Sequence, residues 1–167
     1  MWSHSQCMPE HSRLFAIGIV RYWCVVQGVS MSVTTGGCLC GQVRYQISAE
    51  PGPSRICWCR DCQRIAANGT ANVVFPTDKI AVTGVVSRFI RVADSGNEVT
   101  MGFCNQCGTQ LFSDSTGRVG LTVVRMGTLD NPSAIRPSSN IWCSSAPTWA
   151  SIDKSLEIRE FGPAPAK

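Results

Sequence analysis

A chain of 167 residues with 44% apolar and 16% charged side chains has the makeup of one compact domain, which excludes a disordered polymer. Its net charge of +4 comes without a basic run or an aromatic-interleaved stripe, so no nucleic-acid partner is expected. Both histidines, His4 and His11, lie ahead of residue 31, so a histidine base or a Ser-His-Asp triad is excluded beyond it.

Residues 1–30 show no clear hydrophobic period. Their apolar run, 14–20, stops at Arg21, far short of the ~20 residues a bilayer span needs. Tyr22 and Trp23 follow where a signal peptide would carry small residues. The segment is expected to be a leader, disordered or an upstream extension, with Met31 as the working start and 31–167 as the folded domain. No membrane partner is expected.

Beyond the leader, Val43, Tyr45 and Ile47 alternate with polar neighbours, the period of a half-buried strand. Further strands are predicted over 72–75, 80–83, 88–92, 99–103 and 119–126. Turn residues separate them at 51–53, Gly84, 95–97 and 115–117. Only 60–67 reads as a helix. The expected architecture is mainly β, a set of short strands stapled by metal.

Ten cysteines demand disulfides or metal. Cys38 and Cys40, like Cys57 and Cys59, stand two apart, where an internal disulfide is badly strained but paired thiolates grip one ion. Cys104 and Cys107 form a C-x2-C-G knuckle, a strong zinc signal. Zinc in a reducing cytoplasm is favoured over a secreted disulfide framework. The stretch RICWCRDCQR, 55–64, sets Cys57, Cys59 and Cys62 together with no fourth ligand beside them. Such a trio takes a fourth ligand from elsewhere or keeps an open position. Spacing alone also permits a ribbon of Cys59, Cys62, Cys104 and Cys107, which would strand Cys38, Cys40 and Cys57.

The run GGCLCG at 36–41 followed by Val43-Arg44-Tyr45, then CWCRDC at 57–62, FCNQCG at 103–108 with Leu111, and GTLD at 127–130 resembles the glutathione-dependent formaldehyde-activating enzyme family, which includes the domain of centromere protein V. The likeness runs from about Thr35 to about Phe161. It implies a mainly β domain of short antiparallel strands, with an architecture like that of methionine sulfoxide reductase B, and two zinc ions. Carried over by position, Cys38, Cys40, Cys104 and Cys107 would hold a structural zinc, and Cys57, Cys59 and Cys62 an open, exposed one. The family reaction it implies is carbon–sulfur lyase chemistry: glutathione, or another small thiol, adds to formaldehyde or a related small carbonyl, or the reverse. A thiol entering the open site would lose its proton near neutral pH. The family often has histidine where Trp58 stands, which would replace a polar group at the site mouth with an apolar one.

Arg55, Arg60 and Arg64 flank the trio. They either soften its charge and meet the carboxylates of glutathione or are ordinary solvated arginines. Asp61 is a base or, by the preference of Asp for helix starts, a cap or surface residue. Trp58 is pocket wall or packed aromatic, and Trp142 and Trp149 are core or wall. GTLD reads as a strand end entering an Asp-Asn-Pro turn. Two other readings stand beside the enzyme: a non-catalytic zinc module, and a sulfoxide reductase using Cys143, which has no cation or histidine near it in sequence to activate it.

Overall fold

The computed structural model describes residues 33–163; the leader expected over 1–30 lies outside them. Two sheets face each other. The smaller is β1 (Thr34–Gly37), β2 (Arg44–Ile47) and β5 (Ile80–Thr83), antiparallel in the order β1-β2-β5. The larger contains β3 (Ser54–Cys57), β4 (Thr70–Pro76), β6 (Val86–Val92), β7 (Glu98–Cys104), β8 (Gln110–Ser115), β9 (Leu121–Arg125), β10 (Ser139–Ile141) and β11 (Glu157–Ile158). Its order is β11-β10-β3-β4-β9-β8-β7-β6. One helix, α1 (Arg60–Ala66), follows β3. No helix among the described residues is long and apolar enough to cross a membrane.

The alternation at Val43, Tyr45 and Ile47 buries all three between the sheets, against Val73 and Phe75 of β4, Leu111 and Phe112 of β8, and Val124 of β9. Tyr45 meets the Phe112 ring edge-on at 5.3 Å, and its hydroxyl pairs with Thr128 Oγ1 at 2.8 Å. Gly36 lies under that hydroxyl, where a Cβ would overlap both the Tyr45 phenol and the Thr128 carbonyl. An isolated bridge from Gly36 to Leu129 ties the small sheet to the chain beyond β9.

The expected strands all form, some with shifted ends, as does the helix, but β1, β3, β8, β10 and β11 were not expected. Each carries too few apolar residues for a period of two to register; β8, QLFSDS, buries Ser113 on the sheet face opposite the core. The all-antiparallel expectation needs correction. β10 runs parallel to both β3 and β11, because the chain leaves the sheet through the turns after Leu129 and re-enters beside β3.

Register gives the large sheet two distinct faces. Val73, Phe75, Val124, Phe112 and Cys104 point to the core. Arg55 and Cys57 of β3, Thr70 and Asn72 of β4, Arg125 of β9, Ser113 of β8 and Arg91 of β6 share the other. Asp61 of α1 forms an ion pair with Arg91 of β6, although β4, the strand beneath α1, lies four strand spacings from β6, about 19 Å in a flat sheet. The sheet therefore coils strongly around this second face.

Candidate metal centres

Two groups of sulfur atoms converge, each with all sulfurs within 4.8 Å of one another: Cys38, Cys40, Cys104 and Cys107, and separately Cys57, Cys59 and Cys62. Cys59 and Cys62 thus share no group with Cys104 and Cys107, and the ribbon that spacing permits does not form.

The four-sulfur group joins the β1–β2 turn to the β7–β8 turn. Cys38 faces Val43 across the first: its N–H donates to the Val43 carbonyl at 2.9 Å, and the Val43 N–H points at Cys38 Sγ at 3.2 Å. Gly108, with φ +72°, closes the second by donating to the Cys104 carbonyl at 2.9 Å. The Leu39 N–H reaches Thr109 Oγ1 at 3.1 Å and so links the two turns. Sulfurs lie 3.5 Å apart for Cys38 and Cys40 and 3.7 Å for Cys40 and Cys104. A tetrahedron with metal–sulfur bonds of about 2.3 Å has an edge of about 3.8 Å, so the group fits a zinc-sized ion without rearrangement. The Thr109 hydroxyl and amide hold the Cys107 thiol down to about 5. The Gln42 amide also pulls on Cys40, but burial and the other sulfurs push that thiol up to about 12. Such thiols share protons, which a cation would displace.

The three-sulfur group lies on the opposite face of the large sheet. Cys57 ends β3, Cys59 is the extended residue before α1, and Cys62 sits in the first turn of the helix. Extended backbone puts Cys57 and Cys59 on one side and the intervening Trp58 on the other. Trp58 is accordingly buried, its ring over Gly69 and its Nε1–H toward Asn140 Oδ1 at 3.4 Å. Of the two readings it takes the packed aromatic, within the fold, and not the site mouth that the family likeness implied. The trio itself is less open than expected: Cys57 and Cys62 are buried and Cys59 is half-buried, whereas Cys40 of the other group is exposed. Number of sulfurs, not exposure, separates the two groups.

Proton sharing is stronger in this trio. Cys59 and Cys62, then burial, push the Cys57 thiol well above its ordinary range. Cys57 and Cys59 hold Cys62 far below it, and the charge of Arg125 and the Thr70 hydroxyl add to that effect. Arg125 is the residue that sequence reasoning missed. It is buried, its Nη1 donates to Asn72 Oδ1 at 2.6 Å and Thr70 Oγ1 at 3.3 Å, and it lies 3.9 Å from Cys62 Sγ. It ends the apolar strand LTVVR, and a lone cation closing such a run was its only signal. With Thr70, Thr109, Gln110, Ile65 and Gly127 it lines a cleft of about 450 Å³ between the end of α1 and the Cys107 turn.

Of the flanking arginines, Arg55 is half-buried on the sheet face that carries Cys57, Arg60 donates to Gln63 Oε1 within α1, and Arg64 is exposed on the helix. Asp61 is taken up by Arg91. Trp142 stacks edge-on with Phe161 at 6.3 Å near the surface and Trp149 is exposed, so neither is core. Cys143 is half-buried, and burial pushes its thiol up, away from nucleophilic use. GTLD does more than turn: Asp130 receives both Arg44 Nη1 at 2.9 Å and Nη2 at 2.5 Å, with Thr35 Oγ1 at 2.6 Å, and so clamps β1 and β2 to the chain after β9.

Comparison with known proteins places these groups in a family. No curated protein matches the chain. A crystal structure of a Rhodobacter sphaeroides protein is 19% identical, covers 62% of this chain and 91% of its own, and superposes with a TM-score of 0.47. The family model for the glutathione-dependent formaldehyde-activating enzyme matches residues 33–145, short of the Phe161 limit expected, but takes in all seven clustered cysteines. The chain belongs to the glutathione-dependent formaldehyde-activating enzyme family.

Proposed function

We propose that this protein is a carbon–sulfur lyase that holds two zinc ions and joins the sulfur of glutathione, or a related small thiol, to formaldehyde or a related small carbonyl, or catalyses the reverse. Cys38, Cys40, Cys104 and Cys107 would hold the structural ion, and Cys57, Cys59 and Cys62 the one that serves the reaction. The observation that carries the reading is the unequal donor count: four sulfurs in one group and three in the other, with no fourth His, Cys, Asp or Glu beside the trio among the described residues. A zinc ion there supplies Lewis acidity that keeps an incoming thiol as thiolate near neutral pH.

The chain's own part is to bind and to balance charge. Three thiolates around a divalent cation carry a net charge of minus one, and Arg125 stands against Cys62 to offset it. In the reaction the thiolate sulfur bonds to the carbonyl carbon, the carbonyl π pair moves to oxygen, and the proton released by the thiol ends on that oxygen. Nothing is oxidised or reduced. All eight described cysteines are free, as this chemistry requires, and the cytoplasm is the compartment that keeps them so.

The test is zinc content of the full chain by elemental analysis, with X-ray absorption at the zinc edge, with and without glutathione. Two zinc ions per chain and a mean sulfur coordination rising from about 3.5 towards 4 support the lyase. Coordination saturated from the start and unchanged by glutathione overturns it in favour of a structural zinc module.

A further inference from the structure

β6 ends the large sheet and, among the described strands, pairs on one side only, with β7. β11, at the opposite end, is two residues long, whereas β6 has seven, VSRFIRV, in unbroken register with β7. It has no proline, lysine or bulge, the devices that keep a sheet edge from recruiting another strand. Both of its faces bring apolar side chains to the surface: Ile90 and Val92 on one are 55% and 65% exposed, and Phe89 on the other is 57% exposed.

The backbone fixes which groups this edge offers. At the β6–β7 turn the Ala93 N–H donates to the Asn97 carbonyl at 2.8 Å. Hydrogen-bonded positions alternate along an antiparallel pair, so Phe89 and Arg91 turn N–H and C=O toward β7, while Arg88, Ile90 and Val92 turn theirs outward. A second β6 related by a two-fold axis meets these outward groups, with most of the strand overlapped, when the axis passes Arg88, Phe89 or Ile90. Charge separates the three registers. Arg88 is exposed and has no ion pair among the described residues. An axis at Arg88 sets the two Arg88 side chains directly opposite each other, and one at Phe89 sets them on a diagonal, about 7–8 Å apart, so both registers oppose like charges. An axis at Ile90 instead pairs Ile90 with its own copy and Arg88 with Val92 of the second copy, where Asp94 lies on the diagonal and Glu98 stands beside Val92 on β7. Asp94 is fully exposed and is approached only by Arg91, at 3.7 Å, and Glu98 forms no ion pair among the described residues. The strand and its own hairpin thus carry a cation and two carboxylates at the offset that a two-fold axis makes complementary.

We infer that β6 pairs antiparallel with β6 of a second copy of this chain about a two-fold axis at Ile90, joining the two large sheets into one. Ile90 and Val92 are covered on one face. On the other, Phe89 of each copy lies against Arg91 of the other, the residue that holds Asp61 of α1. The inference goes beyond the lyase reading and does not depend on it.

The experiment is sedimentation equilibrium of the full chain over a roughly hundredfold range of concentration. A species of twice the chain mass is expected. Ile90→Lys sets two ammonium groups face to face on the axis and should raise the dissociation constant at least about tenfold, and Arg88→Glu should do the same by facing Asp94 and Glu98 of the second copy. Adding Asp94→Arg to Arg88→Glu should restore part of the affinity, which a change confined to one copy's fold would not do. Val119→Lys, at the exposed turn between β8 and β9, should associate as the wild type does. Thermal melts confirm that each variant folds; all four substituted side chains are exposed. A monomer throughout the range overturns the inference, whatever else covers β6. A dimer indifferent to Ile90→Lys places the interface elsewhere and overturns it too, and a dimer weakened by Arg88→Glu without rescue by Asp94→Arg overturns the register centred on Ile90.

Discussion

Replacing Arg125 with methionine tests the charge balance at the three-sulfur group, because the side chain keeps a similar length and loses its charge. Its Nη1 lies 3.9 Å from Cys62 Sγ. At an effective dielectric constant of about 20, a unit charge at that distance is worth about 4 kcal/mol. If the net charge of minus one on a three-thiolate zinc site is shared over three sulfurs, the part facing Arg125 is worth about 1.4 kcal/mol, a factor of about ten in zinc affinity. The lost hydrogen bonds to Asn72 and Thr70 destabilise the fold as well, by about 1.5–3 kcal/mol each for bonds from a charged donor. Zinc competition against a chromophoric chelator should read two steps per chain in the wild type. In Arg125→Met one step should weaken about tenfold or more and the other should hold, with Arg125→Lys recovering part of the loss. Equal affinities in variant and wild type, or weakening confined to the four-cysteine site, would refute the argument.

Other outcomes follow from the same geometry. Cys104→Ser removes a fully buried sulfur that joins the core to the four-sulfur group, and should prevent folding or lower the melting temperature far more than Cys59→Ser, which should leave a folded chain with one zinc fewer. Cys143→Ser should leave turnover unchanged; loss of turnover would bring back the sulfoxide-reductase reading. Gly84 has φ +90°, and a Cβ there would overlap the Gln42 carbonyl, so Gly84→Ala should cost more than about 1 kcal/mol in urea unfolding. The Arg44 and Thr35 hydrogen bonds hold the Asp130 carboxyl below its ordinary value of 3.8. A depressed folded-state pKa contributes stability that is present above that value and is lost as pH falls through the lower one. Urea midpoints of the wild type should therefore fall relative to those of Asp130→Asn as pH drops below about 4, and parallel curves would show that the clamp does not matter.

The sequence was most legible where one kind of signal acted alone. Period-two alternation marked β2, and apolar runs marked β4 and β9, because each packs on the core with one face. Cysteine spacing marked both sulfur groups, since a C-x-C in extended backbone sets both sulfurs on one side without help from distant residues. Chain order could not show what long-range pairing decides. Asp130 meets Arg44 and Thr35 across 86 and 95 residues, and Arg125 meets Cys62 across 63. Trp58 stayed open between pocket wall and packed aromatic because its neighbours are metal-type cysteines, whereas the pleat that joins those cysteines sends the indole the other way, onto Gly69. β10 escaped notice because three residues pair in parallel with strands far away in sequence.

The two sulfur groups are divided by the large sheet, and that division bears on what each can do. Cys104 faces the core and has no exposure, while Cys38 and Cys40 sit in the turn that joins β1 to β2, so the four-sulfur group fastens the small sheet to the end of β7 where the β7–β8 register shifts. A change of ligand there would loosen both sheets at once. Cys57, Cys59 and Cys62 instead lie on the second face, at the junction of one strand end and one short helix, and α1 is braced from outside by the Asp61–Arg91 pair and by Gln63, whose Nε2 holds the Trp58 and Ser145 carbonyls. Ligand exchange at that junction would disturb none of the strands that carry the core. A site that must accept and release a thiol in each turnover is best placed where its coordination can change while the fold's stability does not, and of the two groups only the trio meets that condition.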